Sequence, residues 1–202
     1  LFPDTYDFDM NADSEAIIRT FLRNMERKLL PDYYFRAEKL GMTMDEVIVL
    51  ASIIQNEAVV KPENVKDMFL ISAVFHNRMN SDDPSMRKLQ SCASINFLRE
   101  KDGLPKVWAA STADMMRESP YNTYMYEGLP PGPICMPGKL AIQAALYPEP
   151  NANYYFFCAT GDGGTAFAVT YEEHLKNVAL YEQYWTDQTR TEGDATQSSE
   201  ND

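Results

Sequence analysis

The segment 43–58 constrains the fold more than any other part of the chain. Thr43 and Glu46 have the spacing of a capping box, in which a hydroxyl and a carboxylate each satisfy a free backbone N–H at a helix start. Apolar residues then recur at helical spacing along one side of the segment. We therefore predict a helix that begins at this box and runs to about Ala58.

The rest of the chain has the pattern of further helices and one hairpin. Helices are predicted over residues 13–30, 32–40, a segment that begins at Pro62, short pieces near Ile95 and Met115, and residues 139–147 and 171–185. Residues 154–159 and 167–170 are predicted to pair as strands around a glycine-rich turn at 161–164. The predicted fold class is α+β, mostly helical, with a small antiparallel β-hairpin near the C-terminal end.

Composition excludes several classes of protein. The formal net charge of −12 argues against a nucleic-acid partner, since phosphate binding needs clustered Lys and Arg. No apolar run approaches the roughly 20 residues of a membrane-spanning helix. Three irregularly spaced cysteines and two histidines form neither a disulfide framework nor a zinc motif. Residues 1–186 are predicted to form the folded domain, and the acidic residues 187–202 a disordered tail.

Glu57 is the first candidate catalytic residue. It follows Leu50, Ile53 and Ile54 by seven, four and three residues, which places it on the apolar side of the predicted helix. Loss of hydration there should raise the pKa of its carboxyl group, as a general acid requires. The periodicity alone also allows, and favours, a glutamate at the helix edge that points into water, because buried unpaired carboxylates are rare.

Two neighbouring segments, 119–124 and 128–133, are rich in proline, aromatic rings and amides. Sugars stack on aromatic rings and bond to amides, so these segments suit a carbohydrate groove. A polyproline connector with turns explains the composition equally well. Upstream, Ser91 is favoured as a helix N-cap, and Cys92, without an identifiable histidine partner, as a small buried side chain rather than a nucleophile.

These segments, taken in order, resemble the endolytic murein transglycosylase, or YceG-like, family. The resemblance covers residues 1 to about 185. It rests on the motifs Leu1-Phe2-Pro3-Asp4-Thr5-Tyr6, Ala51-Ser52-Ile53-Ile54-Gln55-Asn56-Glu57-Ala58, Val74-Phe75 with Asn77-Arg78, Leu89-Gln90-Ser91, Tyr121-Asn122-Thr123-Tyr124, Gly128-Leu129-Pro130-Pro131-Gly132, and Tyr171 with Glu173-His174.

The resemblance implies specific residue roles. Glu57 is implied to be the catalytic glutamate. The residues implied to bind the substrate are Gln90, Ser91, Tyr121, Asn122, Thr123, Tyr124 and Phe167. The chain departs from the family pattern at Cys92, where Asp is frequent, and at Thr165, where His is frequent.

The activity implied by the resemblance is a lytic transglycosylase, a lyase that cuts peptidoglycan glycan strands between N-acetylmuramic acid and N-acetylglucosamine. Glu57 would act first as acid and then as base, without a metal or an organic cofactor, and leave 1,6-anhydro ends. A hydrolytic muramidase and a non-catalytic glycan-binding scaffold are the alternatives. The resemblance further implies cell-wall synthases as partners, an extracytoplasmic location, and an upstream membrane anchor and LysM-like lobe outside this sequence.

Overall fold

The structure is a computed structural model that describes residues 1–58, 61 and 64–198, with the backbone only from residue 185 onward. The helices are α1 (Ser14–Lys28), α2 (Pro31–Lys39), α3 (Met44–Glu57), α4 (Val65–Met79), α5 (Cys92–Lys101), α6 (Thr112–Met115), α7 (Lys139–Leu146) and α8 (Tyr171–Ser198). A single 3-10 turn, Pro84–Met86, lies between α4 and α5, and the strands are β1 (Phe156–Ala159) and β2 (Thr165–Ala168).

The core forms around α3. Leu50, Ile53 and Ile54 on this helix are fully buried, and α2, α4, α5 and α7 all pack against it. Burial of one such side chain stabilises a fold by about 1.5–3 kcal/mol, so this helix contributes much of the hydrophobic stability. Its capping box is present as predicted, with Thr43 accepting from the backbone N–H of Glu46 and the Glu46 carboxylate bonding back.

The two strands form an antiparallel hairpin beside the helical core. Phe157 pairs with Phe167 and Cys158 with Ala166. The Phe157 ring packs edge-on against Phe75 of α4 at 5.7 Å between centroids, and α8 packs against both strands. The hairpin thereby joins the C-terminal helix to the core, and the predicted α+β class with its hairpin near the C-terminal end is confirmed.

The structure also corrects some predicted boundaries. Strand β2 begins at Thr165 and ends at Ala168, two residues earlier at each end than the predicted strand. Helix α8 continues to Ser198 and does not end near residue 185. The expected helix start at Pro62 and the last four residues of the predicted disordered tail, 199–202, lie outside the described residues, and the disorder of residues 187–202 stays a prediction.

Candidate active site

Glu57 is the last residue of α3, where the helix leaves the core. Glu57 is half-buried, whereas its neighbour Asn56 is exposed. The backbone N–H of Ala58 still bonds to the carbonyl of Ile54, so the final turn is fixed. The structure therefore favours the inward orientation of Glu57 over the solvent-exposed alternative.

The Glu57 carboxylate meets the N-terminus of α5. Its Oε1 atom accepts a hydrogen bond from the Ser91 hydroxyl, and a second from the backbone N–H of Ala93 at 2.9 Å. Ser91 is also the N-cap of α5, because its side chain accepts from the backbone N–H of Ser94. The N-terminus of a helix carries partial positive charge and favours an anion, so α5 holds Glu57 by one oxygen and supports its ionised form.

Two opposing effects act on the protonation of Glu57. Burial raises the pKa of its carboxyl group, and this effect outweighs the hydrogen bonds from Ser91 and the backbone of Ala93 and Cys92, which lower it. A raised pKa lets the protonated form persist to higher pH than in a free glutamate, while the hydrogen bonds stabilise the anion left after proton transfer. The same carboxyl group is thus suited to act as an acid and then as a base.

Cys92 and Tyr124 form a neutral pair beside Glu57. The Cys92 Sγ and the Tyr124 Oη lie 3.3 Å apart. Burial, and to a lesser extent the charge on Glu57, raises the pKa of both groups, so the thiol and the phenol stay uncharged at neutral pH. Cys92 therefore lacks the thiolate character of a nucleophile.

The 121–124 segment reaches the Glu57 site through Ser91. Thr123 accepts from the backbone N–H of Ser91 at 3.0 Å, and its hydroxyl lies 2.8 Å from that of Ser94. Asn122 is fully buried, and its amide donates to three backbone carbonyls of residues 114, 115 and 117 at 2.7–3.2 Å. Asn122 and Thr123, expected to touch the substrate, are thus occupied with protein groups in this structure.

The other expected substrate-binding residues lie in different surroundings. Gln90 is exposed, and its amide oxygen accepts from Arg78 at 2.6 Å. Tyr121 is half-buried, and its ring lies 5.0 Å from that of Phe97. The Phe167 ring packs against Tyr154 and Phe157 of the hairpin region, so its described contacts lie outside the hydrogen-bonded group around Glu57.

The proline-rich segment 128–138 runs beside α3. The Ser52 hydroxyl accepts from the backbone N–H of Ile134 at 3.0 Å, and the Gln55 amide oxygen accepts from Gly138 at 3.1 Å. Gly132 approaches Tyr121 so closely that an added Cβ would lie 3.0 Å from the phenol oxygen. The segment is therefore fixed between α3 and the 121–124 segment.

Two groups at the site were not assigned a role from the sequence. The backbone N–H of Ala93 could not be found there, because it becomes a carboxylate donor only once α5 is docked against α3. Arg78 was present only as part of the Asn77-Arg78 match, and its three hydrogen bonds appear only in the fold.

The described residues contain neither a metal-binding cluster nor a helix that could cross a membrane. Within residues 1–58, 61 and 64–198, no cluster of three or more His, Cys, Asp or Glu residues could hold a metal ion. Over the same part of the chain, none of the helices combines the length and apolar character needed to cross a membrane.

Comparisons with known proteins agree on one family. The sequence model of the YceG-like family matches residues 1–180. The chain belongs to the YceG-like family. A crystal structure described as a yceG-like protein of Listeria monocytogenes superposes with a TM-score of 0.72 at 33% identity, over 87% of this chain and 53% of that one.

Curated members of the YceG-like family are also similar in sequence. An endolytic murein transglycosylase of Streptococcus pneumoniae serotype 2 (strain D39) is 33% identical over 89% of this chain and 31% of its own length. The protein of the same name from Bacillus subtilis (strain 168) is 31% identical over 90% of this chain and 47% of its own length. The chain therefore spans between about a third and a half of these curated relatives.

Proposed function

We propose that this chain carries the catalytic part of an endolytic peptidoglycan lytic transglycosylase, with Glu57 as its acid and base. The observation that carries the proposal is the half-buried Glu57 carboxylate with a raised pKa, held through one oxygen by the N-terminus of α5. The relatives named endolytic murein transglycosylase support the substrate class and the reaction.

The proposed reaction needs one carboxyl group and no water. Glu57 donates its proton to the glycosidic oxygen as the bond from that oxygen to C1 of N-acetylmuramic acid breaks. The resulting carboxylate takes the proton of the C6 hydroxyl of the same sugar, and the C6 oxygen bonds to C1. The products are a 1,6-anhydro sugar and a free 4-hydroxyl on the leaving N-acetylglucosamine, and Glu57 regains its proton. Intramolecular attack benefits from a high effective molarity, so the protein has to hold the ring and exclude solvent.

A two-carboxylate hydrolytic mechanism has weaker support. The candidate for a second carboxylate is Asp114, whose charge contributes to the raised pKa of the neighbouring Cys92. One oxygen of Asp114 pairs with Arg99 at 2.9 Å and the other accepts from the Ser111 hydroxyl at 2.6 Å, and these bonds lower the pKa of its carboxyl group. Ordinary glycosidases need a second carboxylate that is available to the sugar or to water, and Asp114 is already bound to protein groups.

The substrate-binding roles fall into two groups in this proposal. Gln90, Tyr121 and Tyr124 line the groove, and a ring such as Tyr121 provides a face on which a sugar can stack. Asn122 and Thr123 hold the 121–124 segment in place through their buried hydrogen bonds to protein groups. The substrate contacts expected of Ser91 and Phe167 stay predictions, since Ser91 donates a hydrogen bond to Glu57 and Phe167 packs against the hairpin aromatics.

Location and partners follow from the proposed substrate. Peptidoglycan lies outside the cytoplasmic membrane, so we place the active site on that side. Cell-wall synthases as partners and an anchor upstream of this sequence are further parts of the proposal. Co-purification of the full-length protein with synthases from detergent-solubilised membranes tests the partnership.

Glu57→Gln tests the activity. The substitution keeps the size of the side chain and an oxygen that can accept from Ser91 and Ala93, but it removes the proton that an acid must deliver. Loss of a general acid typically costs about 10²- to 10⁴-fold in rate, and we expect the upper end because one group serves both steps. Purified glycan strands are incubated with the full-length wild type, with Glu57→Gln, and with Glu38→Gln as a matched control on the exposed face of α2. Released muropeptides are identified by mass spectrometry.

Each outcome decides between the candidate functions. Anhydro ends from wild type and Glu38→Gln, but not from folded Glu57→Gln, support the proposal. Reducing ends from wild type identify a hydrolytic muramidase. Strand binding without cleavage by wild type identifies a scaffold, and undiminished anhydro products from Glu57→Gln remove Glu57 as the catalyst.

A further inference from the structure

Arg78 is a buried cation next to the candidate site. Only 4% of the residue is exposed. Its guanidinium donates to the backbone carbonyl of Lys88 at 2.8 Å, to that of Tyr155 at 3.1 Å, and to the amide oxygen of Gln90 at 2.6 Å. Burial lowers its pKa to about 10, so it keeps its charge at neutral pH. Among the described residues, the ion pairs of the structure do not include Arg78.

Gln90 occupies an uncommon backbone conformation that its contacts maintain. Its φ of +53° lies in the left-handed region, which residues with a side chain rarely adopt. Its backbone N–H bonds to the carbonyl of Thr123 at 3.0 Å, while its side chain bonds to Arg78. The next residue is Ser91, which donates to Glu57. The conformation of Gln90 therefore sets the position of the Glu57 hydrogen-bond donor.

The contact with Arg78 also determines which way the Gln90 amide faces. A guanidinium can only donate hydrogen bonds, so the atom that it touches must be the amide oxygen. The amide nitrogen Nε2 then points away from Arg78, on an exposed residue that directly precedes Ser91, the hydrogen-bond donor to Glu57. Arg78 thus converts an amide that could donate or accept into a fixed donor.

We propose that Arg78 is a positioning residue that holds the Gln90 amide as a hydrogen-bond donor for a carbonyl oxygen of the glycan substrate. The inference rests on the proposed function and adds the chemical group that the site recognises. Two carbonyls of a peptidoglycan strand have this chemistry: that of the N-acetyl group, and that of the amide which joins the stem peptide to N-acetylmuramic acid. A hydroxyl group could bond to either atom of a free amide, by donating to its oxygen or accepting from its nitrogen, whereas a carbonyl needs the N–H donor.

Gln90→Glu changes the exposed atom and keeps the buried contact. The new carboxylate still accepts from Arg78, but it presents an oxygen where wild type presents an N–H donor. We expect KM on intact strands to rise about tenfold or more, since a carbonyl would face an acceptor, while kcat changes little. Arg78→Lys should have the same effect on KM, because a lysine ammonium cannot hold the three acceptors in one plane.

Arg36→Lys is the matched control for Arg78→Lys. Arg36 also donates its Nε to a backbone carbonyl, that of Leu146 at 2.8 Å, and lies over an aromatic ring, that of Tyr147 at 5.5 Å. It belongs to α2 and has no contact with Gln90 in the described structure. The KM of Arg36→Lys should equal that of wild type. This control separates the loss of Gln90 orientation from a general effect of an Arg-to-Lys change.

Altered substrates identify the carbonyl. Binding is measured with the full-length protein in the Glu57→Gln background, so it does not depend on cleavage. De-N-acetylated strands and strands without stem peptides are compared with intact strands. We expect one of the two alterations to weaken binding when Gln90 is present, and the same alteration to have no weakening effect after Gln90→Glu.

The results separate this inference from the proposed function. If wild type does not cleave strands, the proposed function fails, while the binding comparison still tests Gln90. Wild-type affinity of Gln90→Glu for intact strands would overturn the inference, as would equal losses for both proteins on each altered strand. A wild-type KM for Arg78→Lys would show that Arg78 does not position the Gln90 amide.

Discussion

Ser91→Ala removes the hydroxyl that links α5 to the Glu57 carboxyl group. Ser91 is buried and makes two contacts through this group, one with Glu57 and one with the backbone of Ser94. Loss of an N-cap costs about 1 kcal/mol of stability, and a hydrogen bond to a charged group contributes about 1.5–3 kcal/mol. The free energy of unfolding should therefore fall by roughly 2.5–4 kcal/mol at neutral pH.

The same substitution should shift the pH dependence of activity in a defined direction. The Ser91 hydrogen bond lowers the pKa of Glu57, so its removal raises that pKa further. The protonated form, which the first step needs, then persists to higher pH, and the alkaline limb of kcat/KM moves to higher pH. The rate itself should fall about 10- to 100-fold, because a misplaced carboxyl group is a poorer catalyst.

Thr43→Ala is the matched control at the other end of the same helix. Thr43 caps α3, and the 14 residues of α3 separate it from Glu57 by about 20 Å. The variant loses a cap of similar value but leaves the pH profile and the rate unchanged. Rates of both variants are measured from pH 4 to 9, alongside urea unfolding. An alkaline limb that stays in place, or moves to lower pH, in Ser91→Ala would refute the proposal that Glu57, held by Ser91, is the acid of the reaction.

Two further predictions concern stability. Asn122→Ala should lower the free energy of unfolding by about 3 kcal/mol, because three backbone carbonyls lose their buried donor. Asn80→Ala removes a single hydrogen bond made by an exposed residue and should cost under about 1 kcal/mol, so equal losses in denaturant unfolding would contradict this prediction. Gly161→Ala should cost about 2–3 kcal/mol of stability, since φ is +86° and the new Cβ would overlap Tyr184. Gly103→Ala, at φ +70° but with open space for a Cβ, should cost about 1 kcal/mol. Calorimetry that gives equal melting temperatures for the two variants would refute the clash at Gly161.

The pH dependence of stability provides a separate test of Glu57. A carboxyl group whose folded-state pKa is raised contributes stability at pH values below its unfolded pKa, and this contribution is lost as pH rises through the folded value. Glu57→Gln does not ionise, so it should be at least as stable as wild type at neutral pH. Wild type should gain stability relative to the variant on acidification. A variant that is less stable at pH 7 than at pH 4, relative to wild type, would contradict a raised pKa.

Local sequence patterns predicted most of the helices. The capping box at Thr43 and Glu46 and the apolar spacing of Leu50, Ile53 and Ile54 depend only on residues within one turn or two, and the structure confirms both. Boundaries were less predictable, because where a strand such as β2 begins depends on its pairing partner in β1 rather than on its own sequence.

The sequence singled out Glu57 through the family motifs, whereas helical periodicity alone left open whether its side chain faces the core or water. Tertiary structure decided its environment, because Ser91 and Ala93 meet Glu57 only after α5 packs against α3 across 34 and 36 residues of chain. It also turned Asn122 inward and brought the Arg78 guanidinium against the Gln90 amide oxygen. Helical periodicity is a local property, whereas burial, carboxylate hydrogen bonds and amide orientation arise from groups that are distant in the chain.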